Sequence, residues 1–315
     1  MKSLFFCLFF GPMYAQMPAD NWNDEMVHVN IPSKAGVLMS TFPLYDEKWN
    51  ELNQPLFWKQ IMVLHPDSMI VNVVATRQIL TKIDSKLWNL KSEENKSHFR
   101  DSLRLQFGLK SDERLFFTAG KNHFYKFDKV YSSLSQGILA FERYDVDPWY
   151  AQAILLIESP GQLMKSNTGA YGAFQLMPGV ARQMGLTVNK TIDERISFDR
   201  SAYGAASLLS RICIPEAKRM LKTYNISYNE NDLWFRLLVM HVYHAGASNV
   251  RAVLESIQPT VGGQELITKI WQTNAKGFGN ASQNYTQIVL ASQMIIHEMV
   301  SENCTGLFEC NESQN

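Results

Sequence analysis

Residues 158–178 read ESPGQLMKSNTGAYGAFQLMP, and the reading of this stretch decides the rest of the chain. It sets an acid, Glu158, at the end of the apolar run AILLI, follows it with a small-residue turn, and closes on GAFQLMP. The helix leading into it has a legible start. Asp147 suits an N-cap and Pro148 a first helical position. Tyr150, Ala153, Ile154 and Ile157 then recur at helical spacing. Pro160 disfavours helical geometry at Ser159, and Gly161 follows, so Glu158 falls in the last turn. A carboxylate there meets the negative end of the helix dipole and apolar neighbours, both of which raise its pKa. That is what a general acid needs near neutral pH. A solvated helix-end glutamate is the plainer alternative.

Downstream, Gly169 and Gly172 flank Ala170 and Tyr171, a permissive backbone able to approach a ligand closely. Gln175 is an amide in an apolar run and requires partners, either sugar hydroxyls and acetamido groups or the neighbouring backbone. Further along, SFDRSAYGAASLLSRI places Ala202, Ala205, Ala206 and Leu209 at helical spacing, small residues suited to close helix packing. LWFRLLVMHVYHAG is a second apolar helix, with Gly246 as its C-cap and Tyr243 just before its end. KGFGNASQNYTQIVLASQMIIHEM is a glycine-rich loop followed by a last helix; the loop has no phosphate-binding pattern. His241 and His244 lie three apart without an acid or a third ligand at suitable spacing, so no metal site and no cofactor is expected. Asp193, Glu194 and Asp199 read as caps and a polar loop.

Four ordered blocks carry a resemblance: Glu158-Ser159, Gly172–Pro178, Val242-Tyr243-His244-Ala245-Gly246 and Asn284-Tyr285. Across residues 138–298 they resemble the soluble lytic transglycosylases, with their goose-lysozyme-like catalytic domain. The family pattern is a Glu-Ser opening, a Gly-Leu-Met-Gln-like block, an Ala-Tyr-Asn-Ala-Gly block and a late Tyr. The chain departs from it in three ways. The Glu-to-Gln spacing is one residue shorter and lacks an Asn-Pro pair, Phe174 replaces Met, and His244 replaces Asn, exchanging an amide for a titratable ring.

The resemblance implies cleavage of the β-1,4 bond between N-acetylmuramic acid and N-acetylglucosamine in peptidoglycan glycan strands. Glu158 would be the single acid/base. Ser166 would lie near the substrate acetamido group, and Gln175 and Met177 would line the cleft. Tyr243 and Tyr285 would position Glu158 and the muramyl sugar, and Phe174 with Met177 would supply apolar lining that keeps water from C1. Goose-type hydrolysis on the same fold and a non-catalytic peptidoglycan-binding or scaffold role are the alternatives. A monomer is expected; a partner in the envelope or in a secretion machine is compatible with the role.

The 315 residues carry a formal net charge of zero, so no basic footprint argues for nucleic acid. Lys2 before SLFFCLFFG, and a small residue at Ala15, read as a signal peptide over 1–15, with the periplasm or cell envelope as destination. In an oxidising compartment Cys304 and Cys310, flanking a short loop, are placed to pair; Cys213 reads as a buried free thiol. The fold class expected is mainly all-α: a lysozyme-like helical catalytic domain over 138–300, a mostly helical accessory region over 16–137, and a tail over 301–315. Within the accessory region, 21–45 reads as an irregular arm. A helix capped by Asp67 is expected through IVNVVATRQILTKIDSKLWNL, another in HFRDSLRLQF, and KSEENKS is read as a solvated turn between them. Phe116, Phe117, Phe124, Tyr125 and Phe127 read as core packing, with contact to a glycan strand as the alternative.

Overall fold

The computed structural model describes residues 22–31, 34–158, 165–306 and 309–310. The expected signal peptide, and the Ser159–Gly161 helix stop, lie outside them. The fold is mainly α-helical, as expected. Its first helices are α1 (Phe42–Asp46), α2 (Asn53–Val63), α3 (Ser85–Asn89), α4 (Glu93–Gln106) and α5 (Phe127–Arg143). The remaining helices follow as α6 (Trp149–Glu158), α7 (Pro178–Gln183), α8 (Phe198–Leu208), α9 (Ile214–Thr223), α10 (Leu233–Ala245), α11 (Ala247–Ile257), α12 (Gly263–Gln272) and α13 (Asn280–Asn303). A π-helical turn, Leu209–Cys213, joins α8 to α9.

Two small sheets correct the reading of the chain's first part. The expected irregular arm is an antiparallel hairpin, β1 (Met26–Ile31) with β2 (Lys34–Met39). The helix expected after Asp67 is instead a pair of strands, β3 (Ser68–Val73) and β4 (Ile79–Asp84), completed by β5 (Leu115–Ala119) in the order β4-β3-β5. The reason lies in the residues: SMIVNV and ILTKID are rich in β-branched side chains, which pack well on a pleated surface. Arg77, at φ +59°, reverses the chain between them. KSEENKS is not a turn either, because Ser92 caps α4 by accepting from Asn95 N, so the acidic pair Glu93–Glu94 begins the helix. HFRDSLRLQF is helical, as expected.

The main core runs from Val29, Trp49, Phe57 and Trp58 through α5, α6, α10 and α13, so the first part of the chain shares one apolar interior with the helices after residue 138. A second, smaller core holds Val71, Val73, Leu80, Leu103 and Leu115 between the three-stranded sheet and α4. Phe117 stacks on Trp88, and Tyr125 and Phe127 are buried, while Phe124 is partly exposed.

Helix α6 sits at the centre. Asp147 accepts from Trp149 N at 2.9 Å, the cap expected from its sequence. Every residue from Trp149 to Ile157 is buried, so the helix is enclosed on all sides rather than amphipathic. Gln152, fully buried, bonds Met39 N and O of β2 and Gln293 of α13, tying both neighbours to the middle of α6. Arg236, fully buried in α10, donates to Asp147 and to both carboxylate oxygens of Glu25. Burial pushes the Asp147 carboxyl up and Arg236 opposes it. Cys213 is a buried free thiol, as expected. Cys304 and Cys310 are backbone register partners in a short terminal hairpin, β6 (Cys304–Gly306) with β7 (Glu309–Cys310); their side chains lie outside the described set.

Candidate active site

Three helix ends and one hairpin meet around Glu158. Helix α6 delivers the carboxyl at its last described residue. Helix α13 brings Tyr285, whose hydroxyl donates to Glu158 Oε1 at 2.8 Å. Helix α10 brings Tyr243 and His244 just before Gly246, which ends the helix at φ +80°. The His244 ring stacks on Tyr285, with centroids 4.1 Å apart and planes 20° apart.

The hairpin is Tyr171–Leu176. Its ends exchange both backbone hydrogen bonds, and Gln175 N donates to Gly172 O at 3.1 Å. Gly172 adopts φ +84°, and a Cβ there would fall 2.0 Å from Arg195 O. Only glycine fits that combination of conformation and close approach. Arg195 clamps the hairpin from beneath: its Nη1 donates to Gly169 O and Leu176 O, each at 2.8 Å. Asp193 holds the same guanidinium through both carboxylate oxygens. The Tyr243 hydroxyl donates to Phe174 O at 2.7 Å, fixing the hairpin tip to the end of α10.

Burial among these apolar walls raises the Glu158 carboxyl from its ordinary 4.5 to about 7, against the opposing hydrogen bond from Tyr285. The reading from sequence credited the helix dipole as well; here desolvation is the dominant cause. Tyr243 and Tyr285 have their phenol pKa raised, first by burial and then by the nearby Glu158. His244 is pushed down to about 4 by burial, so the ring that replaces an amide is neutral at physiological pH rather than titrating there.

The remaining candidates are placed as follows. Gln175 is half-buried at φ +47°, its Nε2 donating to Gly172 O at 3.0 Å. Met177 is exposed, at the cap of α7. Ser166 closes its own turn: its Oγ accepts from Ala170 N and shares a hydrogen bond with Thr168 Oγ1. Phe174 does not line a cleft. It is fully buried, packed on Phe141 and Phe198, because the hairpin folds its apolar tip into the core. The downstream acids take structural roles. Asp193 pairs with Arg195 and caps the short 3-10 turn Glu194–Ile196, and Glu194 pairs with Arg200. His241 is buried, with its Nε2 hydrogen-bonded to Thr286 Oγ1, which in turn accepts from Trp271. Among the described residues no cluster of His, Cys, Asp and Glu could hold a metal ion, and no helix is long and apolar enough to cross a membrane.

Two residues near the site were not assigned to it by sequence. Tyr125 lies within electrostatic reach of Glu158, which adds to the upward shift that burial imposes on its phenol. It stands outside the four blocks, so nothing in its spacing marked it. Arg195 was passed over because TIDERISFDR reads as an ordinary polar loop; an Arg two residues after an Asp gave no hint of a buried clamp.

Around Glu158 the chain has a lysozyme-like helical fold. Residues 138–258 match the family model of the transglycosylase SLT domain, that of the lytic transglycosylase, lysozyme-like family. The domain indicates a lytic transglycosylase in general terms, with peptidoglycan as substrate. The match includes Glu158, Ser166, Gln175, Met177 and Tyr243, while Tyr285 arrives from beyond it on α13. No curated protein matches the chain.

Proposed function

We propose that the protein is a secreted lytic transglycosylase that cleaves the β-1,4 bond between N-acetylmuramic acid and N-acetylglucosamine, with Glu158 as its single acid/base. The observation that carries this is the Glu158 carboxyl, raised to about 7 by burial and held by Tyr285 within a transglycosylase SLT domain. Such a group keeps its proton near neutrality and can lose it during turnover.

In this reading Glu158 protonates the glycosidic oxygen as the C1–O bond breaks. The substrate's own acetamido group stabilises the electron-poor C1. Glu158, now a carboxylate, takes the proton from the muramyl C6 hydroxyl, whose oxygen attacks C1 and closes a 1,6-anhydro ring. The nucleophile is already part of the substrate, so proximity supplies much of the acceleration. Tyr285 steadies the carboxylate between the two proton transfers, and Tyr243 holds the hairpin that presents Gln175 and Met177 to the sugar. Ser166 braces the turn before that hairpin, and the family resemblance assigns it to the substrate's acetamido group. The engagement of Asp193 by Arg195 and of Glu194 by Arg200 supports a mechanism with one carboxylate rather than the pair used by most glycosidases. The apolar N-terminal run after Lys2 supports export to the periplasm or cell envelope.

The test is mass spectrometry of soluble products from purified peptidoglycan, with Glu158→Gln as control. Anhydromuramyl ends, lost in the control, are expected. Reducing ends would instead make the protein a hydrolase, and no products from either protein would leave a binding or scaffold role.

A further inference from the structure

Three arginines are buried among the described residues, and two of them are paired with acids: Arg195 with Asp193, and Arg236 with Asp147 and Glu25. The third is Arg77, 6% exposed in the reversal between β3 and β4. No carboxylate lies within 4 Å of it among the described residues. Its Nη2 donates to a neutral amide, Asn284 Oδ1, at 2.8 Å. Its guanidinium lies over Phe57 at 5.1 Å and Phe116 at 5.8 Å. Aromatic faces offset part of the cost of a buried cation, but a full counter-charge is the usual solution. Burial accordingly draws the Arg77 pKa down.

Arg77 is not sealed in. It lines a cavity of about 500 Å³ between the three-stranded sheet and the first turns of α13. That volume suits a disaccharide or a short peptide. The α13 wall presents the amides of Asn280, Gln283, Asn284 and Gln287, and Trp271 adds an aromatic surface. At the sheet side Lys110 and Arg114 are balanced in charge by Asp112 and Glu113, so Arg77 is the cation left without compensation. Amides around one guanidinium suit a polar ligand bearing a carboxylate.

We propose that this cavity binds the carboxylate-bearing peptide stem of peptidoglycan, with Arg77 as its anion-binding group. The assignment of the stem rests on the peptidoglycan reading above; the carboxylate chemistry rests on the cavity itself. All of the lining lies outside the matched SLT region, in the first part of the chain and in α12, α13 and the loop between them. Asn284, the partner of Arg77, is adjacent to Tyr285, the partner of Glu158, so one turn of α13 joins the cavity to the acid.

Calorimetry on the mature protein tests this with four probes: a synthetic stem peptide with free carboxylates, the same peptide amidated, the uncharged glycan chitotetraose, and succinate. The free-carboxylate peptide is expected to bind at least tenfold more tightly than the others. Arg77→Gln is expected to remove that preference, and the exposed Arg114→Gln to retain most of it. Asn284→Asp supplies an internal counter-ion to Arg77. It should weaken peptide binding at least tenfold while raising the thermal midpoint, an answer that survives if Arg77→Gln does not fold. Equal binding of the free and amidated peptides, or unchanged binding by Asn284→Asp, overturns the site. Succinate binding as tightly as the peptide overturns the stem assignment. Peptide binding without any glycan cleavage would overturn the lytic reading and leave the carboxylate site standing. Normal cleavage without peptide binding would do the reverse.

Discussion

Tyr285 donates its phenolic hydrogen to Glu158 Oε1 at 2.8 Å, joining two residues 127 positions apart in the chain. The bond lowers the Glu158 pKa, while burial raises it further than the bond brings it down. Tyr285→Phe removes only the opposing influence, so the pKa moves above 7. The alkaline limb of kcat/KM, where Glu158 loses its proton, is then expected to shift to higher pH. The carboxylate also loses its donor, and kcat should fall ~10- to 100-fold. A pH–rate profile beside wild type reads both effects; an unmoved limb would remove Tyr285 from the acid's environment.

The same carboxyl makes stability depend on pH. In the folded protein Glu158 titrates near 7, and unfolded near 4.5. Between these values the unfolded state binds fewer protons, so stability falls as pH rises. Glu158→Gln is therefore expected to be more stable than wild type at pH 8, by up to ~3 kcal/mol. The difference should vanish below about pH 4.5, where both states carry the proton. Denaturant titrations at pH 4, 6 and 8 measure it. A constant difference across the series would show that Glu158 is not perturbed.

His244 packs flat against Tyr285, and its ring is neutral above about pH 4. Its contribution is therefore shape rather than charge. His244→Phe is expected to keep activity within a few-fold and leave the pH profile near neutrality unchanged. His244→Ala should free the Tyr285 ring and lower kcat by ~10-fold, with little change in KM. A pH profile altered near neutrality in His244→Phe would mean that the imidazole takes part in proton transfer.

Gly172 has no room for a side chain. Gly172→Ala must both adopt φ +84° and place a Cβ 2.0 Å from Arg195 O. Loss of more than ~2 kcal/mol of stability is expected. Activity should fall even where the variant remains folded, because Arg195 clamps the hairpin and Tyr243 of α10 holds its Phe174 O. Chemical denaturation with a parallel turnover assay checks both; an unaffected stability would mean that the backbone can shift at no cost.

Helix α6 was legible because Asp147, Pro148 and an unbroken apolar run are local signals, and local signals survive into the fold. Helices α8 and α10 were legible for the same reason, as were the ordered blocks that place Glu158 in its family. The strands β3 and β4 were misread because IVNVV and ILTKI satisfy a helical pattern as readily as a strand over so few residues. Pairing with β5, more than thirty residues away, decided between them. Phe174 was misplaced for a related reason: the glycines marked a permissive turn, but not the direction in which the apolar residues after it would fold.

The sequence by itself determined the helical class, the acid at a helix end and the order of the blocks around it, since these depend on residue type and spacing along one chain. Tertiary structure alone decided what surrounds the acid. Tyr285, Tyr125 and the apolar walls come from distant segments, and the raised carboxyl arises from their combined exclusion of water. The same holds for Arg77, an ordinary turn residue in the sequence that became a buried cation facing a cavity only when the first part of the chain packed against α13. Desolvation is a property of enclosure, and enclosure is made by contacts between residues far apart in the chain.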